Sequence, residues 1–380
     1  MARTRDCIAG SFGRPSRWCS GRVSGTLVAS ARATLRRALK RSPERPAIAH
    51  GVRAAIVTAL PIIAGDLWSI PAMSWVSLGG FQASLMDSGG PLRRRAMAIG
   101  ATALAGAVSC GTGTVVGVSP QIALPVVFVW AFVSSASRAY PTYMAPVGTI
   151  ALVAFLIGVA RPGSPLDAIS HAALYLAGGA AALLVAVAWP QRADAPRSGD
   201  TALDDDQTSP GQTKLLAVLL PHLRASSPLS RHALRLAIAT TAAQAIVFAL
   251  HITRGYWLTF TVVIILQPVV SATFERAAAR VVGTVLGGVI AAAIGAIVHR
   301  PLAAAAFIVP LAVLTFAVRP IGYAYFTLFL TPLFVLVAES SSGDWHLAEL
   351  RILNTLLGGA LALLSAAILW PQPENGGRRL

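Results

Sequence analysis

Residues 183–191 read Leu-Leu-Val-Ala-Val-Ala-Trp-Pro-Gln, and residues 364–372 read Leu-Ser-Ala-Ala-Ile-Leu-Trp-Pro-Gln. An apolar run closed by Trp-Pro-Gln is a helix brought to a stop, because proline lacks the backbone donor and pushes its predecessor out of the α region. Upstream the same offset of 181 relates Pro120, Arg138, Leu176 and Gly178 to Pro301, Arg319, Leu357 and Gly359. Further upstream the offset becomes 182, relating His50, Arg53, Trp75, Thr102, Leu104 and Gly106 to His232, Arg235, Trp257, Thr284, Leu286 and Gly288. One indel thus joins two copies of a long apolar unit, the build of many transporters and pores.

Composition fixes the solvent. Hydrophobic residues make up 55%, mean hydropathy is +0.66 and only 12% of residues are charged, against about 25% charged in a soluble domain. The formal charge of +16 resides in loops and tails between apolar spans. That placement follows membrane topology rather than phosphate contacts, so nucleic acid is not an expected partner and membrane lipid is. Cys7, Cys19 and Cys110 have no metal-ligand spacing and frame no disulfide scaffold.

Each copy divides into about six apolar segments, near 52–68, 72–86, 96–117, 121–137, 142–160 and 168–189, then 234–251, 256–271, 280–298, 302–318, 322–338 and 352–370. The expected fold is all-α and polytopic, with about twelve transmembrane helices as two parallel six-helix repeats. Several segments are shorter than twenty residues, which implies tilt or partial re-entry. With the N-terminus inside, 27 of the 31 Lys and Arg residues fall on one side. Arg161, Arg254, Arg300 and Arg351 are left outside. That bias places both termini in the cytoplasm of a bacterial inner-membrane protein.

The units are then a basic arm (1–49), a first repeat (50–190), a cytoplasmic linker (191–231), a second repeat (232–371) and a short tail (372–380). Residues 30–41 read as a short basic helix against anionic lipid. Residues 213–224 read as a short helix in an otherwise flexible linker.

The second copy carries the more distinctive pattern: Gly255-Tyr256-Trp257-Leu258-Thr259, then Gln267-Pro268, Thr273, Arg276, Arg280, Gly283-Thr284 and Gly287-Gly288. A Trp opens a short span, Gln-Pro closes it, and Arg-x-x-Gly-Thr-x-x-Gly starts the next. This resembles the fusaric acid resistance protein-like family of integral membrane transporters. That family also includes bacterial aromatic acid exporters and has plant malate channels as distant relatives. The resemblance implies export of small organic acids, aromatic ones included, driven by the proton motive force. Its malate-channel side implies instead a passive organic-anion channel, and a membrane scaffold without transport is the third reading. No cofactor or metal is implied. A homo-oligomer and a periplasmic adaptor are compatible partners, although the chain lacks the large soluble domain of the long exporters.

The first copy departs from the pattern, with Leu85 at the place of Gln267 and Ala98 at that of Arg280. Gly79-Gly80 is read as interrupting its short span.

Candidate site residues follow from polar chemistry in an apolar chain. Arg138 and Arg319 hold equivalent positions, followed by Tyr140 and Tyr143 in one copy and by Tyr323 and Tyr325 in the other. Arginine beside tyrosine suits an aromatic carboxylate, and it equally suits a positive-inside anchor with interfacial rings. Gln267 either presents its amide to a solute or caps the helix that Pro268 ends, with Trp257 at that helix's start. Arg276 and Arg280, with Glu275 adjacent, read either as an anion-steering cytoplasmic mouth or as loop cations snorkelling to headgroups, and Asp87 is placed at that mouth, as an ion pair with Arg93 rather than a proton carrier. Gly283, Thr284 and Gly287 form a close-packing motif for membrane helices. No phosphate-binding loop, metalloprotease motif or nucleophile elbow occurs, so the chain does not read as an enzyme and no catalytic residue is assigned.

Overall fold

Long apolar runs without β-branched alternation, punctuated by proline, can satisfy their backbone in lipid only as helices. The computed structural model has that character. It describes residues 33–87, 89–140, 144–189, 227–297, 301–342 and 347–370, with no side-chain detail for 301–304 and 338–342. From Ile48 onward the described residues form twelve α-helices. They are α1 (Ile48–Leu67), α2 (Met73–Ser84), α3 (Leu92–Val116), α4 (Pro120–Ala136), α5 (Met144–Val159) and α6 (Pro165–Ala188). The second set is α7 (Pro228–Ala249), α8 (Tyr256–Ile265), α9 (Val270–Gly295), α10 (Pro301–Ala317), α11 (Tyr323–Ser342) and α12 (Leu347–Ile368). A helical segment over 33–38 precedes them, inside the range expected for the basic arm. The expected linker helix at 213–224 lies outside the described residues.

Seven helices are long and apolar enough to cross a membrane, and four shorter ones are also apolar. Their outward faces carry large apolar side chains, such as Leu104, Val108 and Val115 along α3, as expected where lipid rather than water is the neighbour. The chain is a polytopic all-α membrane protein.

Local chemistry sets the helix starts. Ser164 caps α6, accepting from the Asp167 amide at 3.2 Å while its own amide donates to Asp167 Oδ2 at 2.8 Å. Pro165 takes the first helical position, where a missing donor costs nothing. Ser227 and Pro228 open α7 the same way.

The packing list of the first half recurs in the second. There α3 packs on α5 and α6, and α2 on α6 and α1. In the second half α9 packs on α11 and α12, and α8 on α12 and α7. Between the halves the contact is reciprocal, with α4 on α7 and α10 on α1. The tight turn after the first helix of each half also recurs. Ser69 and His251 both take left-handed φ, 55° and 50°. The next residues, Ile70 and Ile252, donate to Gly65 O and Val247 O at 2.8 and 3.1 Å.

One expectation is corrected. Gly79 and Gly80 do not interrupt α2, which runs unbroken from Met73 to Ser84. They let α2 touch its neighbours: a Cβ on Gly79 would collide with the Tyr175 carbonyl, and one on Gly80 would stand 2.6 Å from Val57 O. In a bilayer such backbone-close crossings do the work that hydrophobic exclusion does in water. At Gly283 and Gly287 a Cβ would likewise collide with α11, at the Thr327 hydroxyl and the Leu328 carbonyl, and Thr284 is fully buried.

Candidate functional site

Between the halves lies a cavity of about 1480 Å³. Seven arginines and only two carboxylates, Asp66 and Asp167, line it. Arginine in an apolar interior is costly to place, so their convergence on one space marks that space chemically.

At one end sit Arg138, Arg276 and Arg319. Arg138 follows α4, Arg319 follows α10, and Arg276 is within electrostatic reach of both. The Arg276 guanidinium stacks over the Tyr323 ring at 4.0 Å. Arg319 donates to the Leu85 carbonyl across the two halves. Basic-arm residues reach this end as well, since the Ser42 and Ala47 amides donate to Ile321 O and Ala317 O at 2.8 Å each.

Deeper in, Arg280 and Arg351 are 1% and 2% exposed. Arg280 donates to the Tyr323 hydroxyl at 3.3 Å. Both guanidiniums stand over the Phe260 ring, at 5.8 and 5.0 Å, and Arg351 also stands 4.9 Å from Trp257. Among the described residues no carboxylate pairs with either one. Arg280 Nε and Nη2, and Arg351 Nε and Nη1, are buried without a protein partner.

The expected residues are therefore brought together in part. Arg138, Arg319, Tyr323, Gln267, Trp257, Arg276 and Arg280 all line the cavity. Tyr325 does not line it and lies beside Gly322. Tyr143 lies outside the described residues. The Gln267 side chain donates to Ile264 O at 3.2 Å, the carbonyl that loses its helical donor to Pro268. Its amide therefore closes a helix end.

Asp87 does not line the cavity, and it pairs with Arg95 and Arg53 rather than with Arg93. Its carboxylate is buried, taking Arg95 Nε at 2.5 Å, Arg95 Nη2 at 3.0 Å and Arg53 Nη2 at 3.1 Å, with His50 Nδ1 at 3.5 Å. Arg93 leaves from an exposed face of α3, whereas Arg95 points inward toward α1 and α6. Burial alone would raise the Asp87 pKa, but hydrogen bonds and charge from His50 and Arg95 outweigh it and hold the carboxyl well below the usual range. In the second half Arg235, the counterpart of Arg53, instead donates to the Gln267 and Pro268 carbonyls at 2.8 and 2.7 Å.

Arg351, which the charge count leaves on the outer side ahead of the last apolar run, is buried inside α12. The signal was present: Arg351, Asn354, Thr355, Gly358, Gly359 and Ala362 form one polar-to-small stripe at helical spacing, and all six are buried.

A polytopic all-α membrane protein with an arginine-lined cavity between its halves is the class that this geometry defines. Residues 240–365 match the model of the fusaric acid resistance protein-like family, so the second half is similar to that family. Curated relatives align over somewhat less than half of the chain. An uncharacterized protein of Haemophilus influenzae is 33% identical over 43% of this chain and 23% of its own length. A protein of Neisseria gonorrhoeae called ORF2 is 32% identical over 47% of this chain and 43% of its own. The inner membrane protein YccS of Escherichia coli is 29% identical over 47% of this chain and 25% of its own. The match thus spans less than half of each of these relatives. No solved structure matches the chain.

Proposed function

We propose that the chain transports small organic anions across the bacterial inner membrane through the cavity between its halves. The observation that carries this reading is the charge of the lining, seven arginines to two aspartates. A low-dielectric space so lined concentrates anions and repels cations. The similarity to the inner membrane protein YccS supports the membrane, and the match to the fusaric acid resistance protein-like family supports the transporter class.

The direction is export, coupled to protons, with both termini cytoplasmic and Arg138, Arg276 and Arg319 at the cytoplasmic mouth. The two halves are same-sense repeats, a reading supported by their recurring packing partners and turns. The predominance of arginine in the polar lining favours a transporter of anions over an enzyme.

A passive anion channel is the second reading. Its support is Asp87, a buried carboxylate already neutralised by Arg53 and Arg95 and so poorly suited to carry protons. Proteoliposomes loaded with benzoate decide between the two. Accumulation against a concentration gradient under an imposed pH gradient supports coupling. Flux that only runs downhill, whatever the pH gradient, supports the channel, and no flux for benzoate, acetate or malate removes the transport reading.

A further inference from the structure

Two buried guanidiniums with spare donors and no counter-charge demand an acceptor. We infer that Arg280 and Arg351 form a single carboxylate-binding subsite in the second half of the chain, organised by Phe260. This deepens the transport reading and rests on it only for the purpose of the site.

The argument is geometric. Phe260 lies one turn after Trp257 on α8, and its ring faces both guanidinium groups. Arg351 also lies against Trp257. Cation–π contact occupies the flat faces of the guanidiniums and leaves their N–H edges free. Four edge nitrogens lack a partner, and both residues border the cavity. A guanidinium edge presents parallel donors to the two oxygens of a carboxylate, so that group is the chemical match. The aromatic rings are engaged by arginine, so recognition is of the carboxylate and not of a substrate ring.

The first half has no such subsite. At the positions equivalent to Arg280, Arg351 and Phe260 it has Ala98, Ser170 and Leu78. Its own aromatic pair there is Trp75 stacked on His171 at 4.1 Å. The site therefore occurs once per chain, although the fold that holds it is present twice.

The test is binding of sodium benzoate and sodium propionate to the full chain in detergent, by thermal shift and calorimetry, beside Arg280→Gln, Arg351→Gln and Phe260→Leu. Each glutamine variant loses an unpaired buried charge, so it is expected to fold and to melt no lower than wild type without ligand. Wild type should bind one carboxylate per chain and gain roughly 5 °C at a hundredfold excess over Kd. Both glutamine variants should lose that gain, and Phe260→Leu should bind several-fold more weakly. Arg231→Gln, on an exposed position, should behave as wild type. A wild-type shift retained in both glutamine variants, no shift with either acid in wild type, or two carboxylates per chain would each overturn the subsite. Flux keeps this separate from transport. Wild-type flux that survives both glutamine substitutions removes the subsite alone, whereas binding through these arginines without any flux removes the transport reading alone.

Discussion

Arg95 closes on Asp87 with two hydrogen bonds, Nε to Oδ1 at 2.5 Å and Nη2 to Oδ2 at 3.0 Å, and the pair is almost fully buried. Arg53 of α1 adds a third bond, and Arg95 also reaches the Ala186 carbonyl at the end of α6. One carboxylate thus fastens three helices at one end of the first half. Asp87→Ala strands two buried cations and should destabilise the protein by about 3–5 kcal/mol. Tryptophan-fluorescence melting in detergent measures it, and adding Arg95→Met to the variant should recover part of the loss.

The same group gives a pH dependence of known sign. Asp87 lies in the connection between α2 and α3, and its folded pKa is depressed. Its contribution is present above the unfolded value of about 3.9 and is lost as pH falls through the folded one. Melting temperature should therefore drop below about pH 4 in wild type. Asp87→Asn, less stable at neutral pH, should show a shallower acid slope. Equal slopes in the two proteins would place the acid sensitivity elsewhere.

Arg276 offers a charge effect that salt can dissect. Its guanidinium covers Tyr323 and acts electrostatically on both Arg138 and Arg319. Arg276→Gln should reduce benzoate flux several-fold at 10 mM salt and far less at 500 mM, because screening removes the steering field in both proteins. A loss independent of salt would indicate that Arg276 holds structure instead.

Gly79 has no room for a side chain, since a Cβ there meets the Tyr175 backbone. Gly79→Ala should push α2 from α6 and lower the fraction recovered as monodisperse protein, with a cost on the order of 2–3 kcal/mol. Gly100, which has open space around it, should accept the same substitution without loss, a comparison that size-exclusion profiles resolve.

Much of this architecture was legible in the residues. Trp-Pro-Gln marked two helix ends, the offsets of 182 and 181 paired the segments, and most apolar runs lie within a few residues of the helices observed, although α9 begins at Val270, well before the run near 280–298, and α8 ends at Ile265, short of the run near 256–271. What escaped was partner choice. Hydropathy registers Arg351 as a break between spans, because a window average cannot distinguish a loop cation from one buried near a helix start. Asp87 is followed by three arginines, and only the rotation of α3 selects Arg95 over Arg93 and Arg94. Gly79-Gly80 reads as a breaker in isolation and proves a contact once α6 is beside it. Phe260 went unremarked among apolar neighbours, since its role depends on two arginines distant in the chain.

The reciprocal seating of α4 on α7 and of α10 on α1 has one more consequence. Each half carries an element whose berth belongs to its twin, so a lone half would display an unanswered helix and an empty berth at once. Two severed halves produced together should therefore find each other and rebuild the whole, whereas either produced by itself should be degraded.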